Sequence, residues 1–504
     1  MNLRTVIHLI SILTIFLGFA MFASIPAGIL MKDPSQPLHE MALCGTLTTL
    51  LGLICMILTR SKPGHLLKSG VREGFATVGF GWLVCMLIGA LPFIAVGNFR
   101  LEDAVFETAS GFSTTGASVI DANLTLFNGK KLVGGLEKLP CCLLFWRSLI
   151  VWMGGMGIVV FALVILPFLG IGGTNQLYNA EVPGLKTNSD QFTPRIAASA
   201  KIIWLVYMIL TVAEIAFLLL GGMHWFDAVC HSFSTVATGG FSTKASSIAG
   251  YSPYIQWVIT VFMFLAGCNF ALSIRVVLFK RWMIYFQDEE FKFFFSVVLV
   301  SIVISIVFLM WNHNMPSFGE AVRHSAFQVV SIITTTGFTT ADYITWPSGI
   351  CAILFLLMFV GGCAGSTSGG MKCVRVLLLI KHAISEIRRC IFPRSIQDIR
   401  LNGERMTSST ISKTLAFFFL YIFLFFFTAF LLTIICSDMD LLTAISASIS
   451  SISNIGPGFG KIGPAYTFGW MNPAAKYLLA FAMVVGRLEL YTLLVILLPS
   501  FWKR

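Results

Sequence analysis

The chain has 504 residues, 57% of them hydrophobic and only 11% charged. Soluble domains carry about 25% charged residues, so a soluble fold, a disordered chain and a disulfide-stapled secreted scaffold are excluded. The net charge of +11 does not point to nucleic acid, because the basic residues fall in short loops between apolar runs, the pattern of the positive-inside rule.

The apolar runs are continuous rather than alternating, which argues against a porin-type barrel. A spanning helix needs about 20 apolar residues, and the chain supplies many such runs. It therefore reads as an all-α polytopic membrane protein. The 12 cysteines sit mostly inside these runs (Cys55, Cys85, Cys268, Cys436), with no CxxC pair, and read as small buried hydrophobes. The first run, from Val6 to Leu30, lacks a small-residue cleavage site and is too long for a signal-peptide core.

In chain order, two spans come first, near 5–31 and 39–59. A basic loop follows with Arg60, Lys62, Lys68 and Arg72. Then a rhythm repeats four times: an apolar run, a short semi-polar stretch ending in Thr/Gly, and a second apolar run. The first runs lie near 73–98, 195–222, 290–312 and 411–436, and the second near 141–171, 253–281, 347–383 and 471–500. Ten spans result. The expected division is 1–68 for the two N-terminal helices, then repeats at 69–172, 190–285, 286–400 and 405–504. An even number of spans puts both termini on one side. Arg4, the final Trp502-Lys503-Arg504 and the stretch Lys381–Lys413 make that side the cytoplasm; this stretch holds Lys381, Arg388, Arg389, Arg394, Arg400, Arg405 and Lys413 against Glu386, Asp398 and Glu404.

The stretches inside the repeats, 101–118, 225–243, 318–340 and 438–460, are too short and polar to span. Each opens with an acid: Asp103, Asp227, Glu320 and Asp440. An acid at a helix N-terminus satisfies free N–H groups and suits the dipole. Each ends in a glycine turn: Thr114-Thr115-Gly116, Thr238-Gly239-Gly240, Thr335-Thr336-Gly337 and Asn454-Ile455-Gly456. The spacing from acid to glycine is 13, 13, 17 and 16 residues, which predicts third and fourth half-helices about one turn longer than the others. The second and third copies also share His231-Ser232 and His324-Ser325.

Non-helical backbone at membrane depth is tolerated only where it is buried in protein or lines a wet cavity. Four such loops imply one shared, pseudosymmetric centre. Glycine permits the positive φ that turns successive carbonyls one way, and a ring of carbonyls can replace a cation's water shell. The negative ends of four short helices favour a cation there as well.

These four loops, together with Phe145-Trp146-Arg147-Ser148, Gly154-Gly155-Met156-Gly157, Ala180-Glu181-Val182-Pro183-Gly184, the stretch Gly361–Lys372 and Gly486-Arg487-Leu488-Glu489, resemble the Trk/Ktr/HKT superfamily of potassium transporters, in its TrkH/TrkG branch, over essentially the whole chain. The resemblance implies four helix–pore-helix/loop–helix repeats around a central pore. It implies a potassium-selective filter with one glycine per repeat (Gly116, Gly240, Gly337, Gly456) and coordinating oxygens from Thr114, Thr115, Thr238, Gly239, Thr335, Thr336, Asn454 and Ile455. Some plant relatives that pass sodium carry serine at the first filter glycine; Gly116 favours potassium. Ser118 stands where threonine is usual.

The second run of the third repeat is interrupted by Gly361, Gly362, Gly365, Ser366, Thr367, Ser368, Gly369 and Gly370. Such a sequence does not hold a continuous helix comfortably. The resemblance makes it an intramembrane gating loop; otherwise it is a kink for close helix packing. Arg487 lies mid-run, where an arginine is costly and faces a cavity or a partner. The family role is a positive barrier beside the gating loop, the alternative a salt bridge that could involve Glu489. Arg147 could pair with an acid near the pore mouth or snorkel. Lys372 could contact the gate or mark a span end. His231 and His324 read as packed or hydrogen-bonded rather than as proton relays.

The expected function is potassium uptake through a gated, channel-like pore driven by membrane potential. The alternative is K⁺/H⁺ or K⁺/Na⁺ symport, which would need an ionisable carboxylate or a second cation site. No HExxH, GxSxG or Walker sequence is present, so no enzyme activity is expected, and no cofactor beyond K⁺ as the permeant ion. The resemblance further implies the bacterial inner membrane, a homodimer, and a cytosolic TrkA-type nucleotide-binding regulatory subunit, for which the basic loops around Arg388–Arg405 form a plausible docking surface.

Overall fold

The computed structural model describes residues 1–59, 70–169, 192–279, 281–312, 317–393 and 398–503. Arg60, Lys62, Lys68, Arg394, Arg504 and the stretch Ala180–Gly184 lie outside the described residues. Among the described residues the fold is helical apart from a two-residue hairpin, Arg400–Leu401 against Glu404–Arg405, and one isolated bridge.

Among the described residues, six helical stretches are long and apolar enough to cross a bilayer by length and composition: Leu3–Leu30, Ser35–Leu58, Arg72–Ala95, Ile203–Leu220, Glu289–Trp311 and Ser408–Ile435. They coincide with the two N-terminal runs and the first run of each repeat. Their sidedness is written in their phenylalanines. On Ser408–Ile435, Phe419, Phe423, Phe426 and Phe430 recur on one exposed stripe, while Phe417, Tyr421 and Phe425 are buried. Apolar residues all round a helix fit a lipid-facing position.

The two N-terminal helices pack closely through small residues. A side chain on Gly18 would meet the Gly45 carbonyl at 2.9 Å, and one on Gly52 the Ser11 carbonyl at 3.0 Å. Small residues are what lets membrane helices approach this far. Both chain ends lie together: the Asn2 amide donates to Glu73 at 2.9 Å, and Arg72 donates to the Lys503 carbonyl at 2.6 Å.

The second runs depart from the expectation of continuous spans with one interruption. In the first repeat Cys141–Leu169 is one helix. In the second, Pro253–Gly267 and Phe270–Val276 bend by 103°, and in the fourth, Pro473–Arg487 and Tyr491–Leu497 bend by 115°. In the third, Ser348–Leu357 and Cys373–Ile391 are separated by the glycine-rich stretch. Three of the four second runs are therefore broken.

The half-helices are Leu101–Phe112, Trp225–Val236, Phe318–Ile333 and Leu441–Ser453, of 12, 12, 16 and 13 residues. The third is one turn longer, as expected; the fourth is not, which corrects the spacing argument. Asp440 is the N-cap, before the helix, whereas Asp103, Asp227 and Glu320 are each its third residue. The reading that every opening acid satisfies helix N–H groups is corrected too. Asp440 does so, accepting from the Thr443 amide at 3.1 Å. Ser317 caps the third helix, accepting from the Glu320 amide at 3.2 Å, and the His224 ring accepts from Phe226 at the second. Asp103 is instead salt-bridged to Lys476 at 2.6 Å, and Asp227 accepts from Thr243 at 2.7 Å and Tyr251 at 3.2 Å.

Candidate functional site

The four half-helices end on one ring. After each, the chain turns through a residue with positive φ: Thr114 (+54°), Thr238 (+54°), Thr335 (+57°) and Asn454 (+58°). The next residue's amide reaches back to a serine carbonyl: Thr115 to Ser110 (2.8 Å), Gly239 to Ser234 (2.7 Å), Thr336 to Ser331 (2.9 Å) and Ile455 to Ser450 (2.9 Å). Then comes the glycine, again at positive φ: +77° at Gly116, +65° at Gly240, +83° at Gly337 and +103° at Gly456. Sequence reasoning identified the glycines but not the left-handed residue two positions earlier, nor the serine that anchors each turn.

The ring closes through contacts between successive repeats. A side chain on Gly116 would meet the Gly239 carbonyl oxygen at 2.3 Å, and one on Gly240 the Thr336 oxygen at 2.0 Å. One on Gly337 would meet the Ile455 oxygen at 1.9 Å, and one on Gly456 the Thr115 oxygen at 2.6 Å. In every case the obstacle is the carbonyl before the next repeat's glycine, and the fourth repeat returns to the first. Thr114, Thr115, Thr238, Thr335, Thr336, Asn454 and Ile455 are all fully buried. Hydroxyl bonds tie the turns together: Thr115 with Ser113 at 2.6 Å, Thr336 with Thr334 at 2.8 Å, and Asn454 donating to Thr115 at 3.0 Å.

The segment leaving each glycine is held by its own half-helix. In the first repeat Glu107 accepts from Ser118 Oγ at 2.5 Å and the Val119 amide at 2.8 Å. His231, equally nine residues before its glycine, bonds Ser242 Oγ at 2.9 Å and the Asp227 carbonyl at 2.7 Å. His324, a turn further from the ring, bonds Thr340 Oγ1 at 2.9 Å. Arg147 resolves toward pairing. It meets Glu107 at 3.1 Å, donates to the Ser242 carbonyl at 2.9 Å, and stacks over Phe241 at 3.5 Å. Arg147 thus joins repeats one and two, and Glu107, which sequence reasoning missed, holds it from within repeat one. A carboxylate inside a semi-polar half-helix gives no hydropathy signal.

The glycine-rich stretch packs directly against the ring. The Gly369 amide donates to Thr335 Oγ1 at 2.6 Å, and a side chain at Gly369 would meet the Ser453 carbonyl at 2.4 Å. Gly361, Gly365 and Gly370 have positive φ. Gly362 accepts from the Cys373 amide at 2.9 Å, and Gly365 from that of Phe270 at 3.2 Å. Ser366 and Ser368 share a hydroxyl bond at 2.6 Å, and Thr367 donates to the Val236 carbonyl at 2.9 Å. Lys372 is the N-cap of the helix Cys373–Ile391. It is buried, and its ammonium donates to the carbonyls of Ser368 at 2.7 Å and Ser366 at 3.3 Å. Arg487 donates to the Thr367 carbonyl at 2.7 Å and to the Gly154 and Gly155 carbonyls at 3.0 and 3.3 Å. Glu489 pairs with Arg375 instead of Arg487. One guanidinium therefore bridges repeats one, three and four.

Residues 48–503 match the family described as TrkH, cation transport protein. The chain belongs to the TrkH family. It is 38% identical over 508 residues to the Trk system potassium uptake protein TrkH of Salmonella typhimurium, covering all of both chains. It is 40% identical over 449 residues to the Escherichia coli K12 protein of that name, covering 88% of each. The crystal structure of the potassium transporter TrkH from Vibrio parahaemolyticus superposes with a TM-score of 0.86 at 34% identity, covering 100% of both chains. The all-α polytopic membrane fold read from the sequence agrees with this match. The Arg147 pair and the Arg487 bridge are contacts of this chain's own side chains.

Proposed function

We propose that this TrkH-family chain takes up potassium through a selective, gated, channel-like pore, as the membrane subunit of a Trk-type system. The observation that carries the reading is the closed ring, in which each of the four glycines faces the next repeat's carbonyl. Thr114, Thr115, Gly116, Thr238, Gly239, Gly240, Thr335, Thr336, Gly337, Asn454, Ile455 and Gly456 form the K⁺ filter. Backbone oxygens held by buried turns cost no reorganisation when an ion sheds its water. The stretch Gly361–Gly370, with Lys372 and Arg487, forms the gate. Two cations on carbonyls next to the path, Lys372 buried and Arg487 half-buried, oppose a permeating cation. The membrane potential supplies about 2.3 kcal/mol per charge per 100 mV, enough for uphill accumulation.

The repeats are bounded at 69–172, 190–285, 286–400 and 405–504, after the N-terminal pair 1–68. The chain sits in the bacterial inner membrane as a homodimer, with both termini cytoplasmic. A cytosolic nucleotide-binding subunit of TrkA type docks on its basic cytoplasmic face and sets the gate.

Coupled symport is favoured by one observation. Glu214, on the first helix of repeat two, is fully buried beside the Thr235 hydroxyl and has no ion-pair partner among the described residues. That helix packs on the second half-helix, so the carboxyl lies near the ring without belonging to it.

Purified protein in liposomes separates the two readings. The channel reading expects K⁺ and Rb⁺ flux set by voltage alone, little Na⁺ flux and no pH dependence. Flux that follows a proton or sodium gradient, and loses that coupling in Glu214→Gln, would establish symport.

A further inference from the structure

Glu290 is the second residue of the helix Glu289–Trp311 and is buried. One oxygen, Oε1, accepts the Ala364 amide at 2.6 Å and the Val374 amide at 3.2 Å. Ala364 lies inside the glycine-rich stretch. Val374 is the second residue of the helix that follows it. A single carboxylate therefore holds this stretch near its entry and just past its exit. The first-turn amides of a helix have no partner within it, and a carboxylate there also suits the dipole.

The two residues before Glu290 face a different structure. Asp288 caps the helix, accepting from the Phe291 amide at 2.8 Å, and its other oxygen accepts from Asn402 Nδ2 at 2.7 Å. The Glu289 amide donates to Asn402 Oδ1 at 2.8 Å. The Glu289 carboxylate pairs with Lys381, whose ammonium also donates to the Arg400 carbonyl at 2.7 Å. Asn402 turns the exposed Arg400–Arg405 hairpin, at φ +51°. Three consecutive acids thus connect this hairpin on one side to the glycine-rich stretch on the other.

We propose that Asp288-Glu289-Glu290 is a relay that couples the position of the Arg400–Arg405 hairpin to the gate, with Glu290 as its positioning residue. The proposal rests on the gate reading above. Displacing the hairpin pulls the start of the helix, and the start of the helix carries the oxygen that fixes both Ala364 and Val374. The relay needs an acceptor at Oε1 rather than a charge.

The test is partner-free Rb⁺ flux of the full chain in liposomes, with Arg487→Ala as the reference for an opened gate. Glu290→Ala is expected to raise flux about tenfold, the size of one lost charge-assisted bond. Glu290→Gln keeps the acceptor and stays within about twofold of the parent. Asn402→Ala raises flux by less, and the double variant Glu290→Ala/Asn402→Ala rises no further than Glu290→Ala alone. Parent-like flux in Glu290→Ala while Arg487→Ala is raised overturns the relay. So does a double variant whose effects multiply. Flat flux in every variant, Arg487→Ala included, overturns the gate reading itself. If Glu290→Ala does not fold, Asn402→Ala decides: raised flux supports the relay and parent-like flux overturns it.

Discussion

At the glycine ring the four repeats are near-copies: a left-handed residue at φ +54° to +58°, an amide returned to a serine, a glycine with positive φ, and a carbonyl against the next repeat. In the second helices the same four repeats diverge. The first is continuous, the second and fourth bend by 103° and 115°, and the third opens into the glycine-rich stretch. Equivalent oxygens around an ion require equal repeats. A barrier that responds to one signal does not, and the cations Lys372 and Arg487 both gather on the third repeat's stretch.

The largest expected effect breaks the symmetric half. Gly337→Ala places a methyl 1.9 Å from the Ile455 oxygen at φ +83°. Strain and overlap together cost roughly 2–5 kcal/mol, and K⁺ flux should be abolished. Gly222→Ala is the control, since its φ is +80° but nothing lies within 4 Å; it should lose only about 1–2 kcal/mol and keep its flux. Equal flux in both would show that the ring contacts do not matter.

Next comes the join between repeats one and two. Glu107→Ala leaves the buried Arg147 without its carboxylate, a loss of about 3–5 kcal/mol, read as a lowered melting temperature in detergent. The paired change Glu107→Leu/Arg147→Met should recover much of it, and failure to recover would mean the bonds to Ser118 and Val119 dominate.

The asymmetric half is probed by Arg487→Ala, which should raise partner-free flux by about tenfold as the bridge across three repeats is lost. Unchanged flux would remove Arg487 from the gate. The smallest effect lies at the rim. Asp440→Ala removes one cap, worth about 0.5–2 kcal/mol, with selectivity unaltered.

The sequence made the ring's four glycines and the interruption at Gly361–Gly370 legible, because glycine is where composition records backbone shape. It hid the bends elsewhere. At Leu488–Leu490 the chain turns at Glu489 (φ +52°) and Leu490 (φ +59°), neither a glycine. At Gly267–Asn269 a single glycine and one asparagine interrupt a long apolar run. Long-range pairing was hidden as well. Nothing local tells that Glu107 meets Arg147, that Glu489 meets Arg375, or that Asp103 meets Lys476 across 373 residues. The acid-to-glycine spacing misjudged the fourth half-helix because an N-cap and a third residue look alike in sequence.

The most direct measurement is the position of Tl⁺ in crystals of the chain grown with that K⁺ substitute. The account predicts anomalous density on the axis of the ring, among the carbonyls of Thr115, Gly239, Thr336 and Ile455. A ring empty of Tl⁺, with density instead beside Glu214 or at another buried carboxylate, would contradict it.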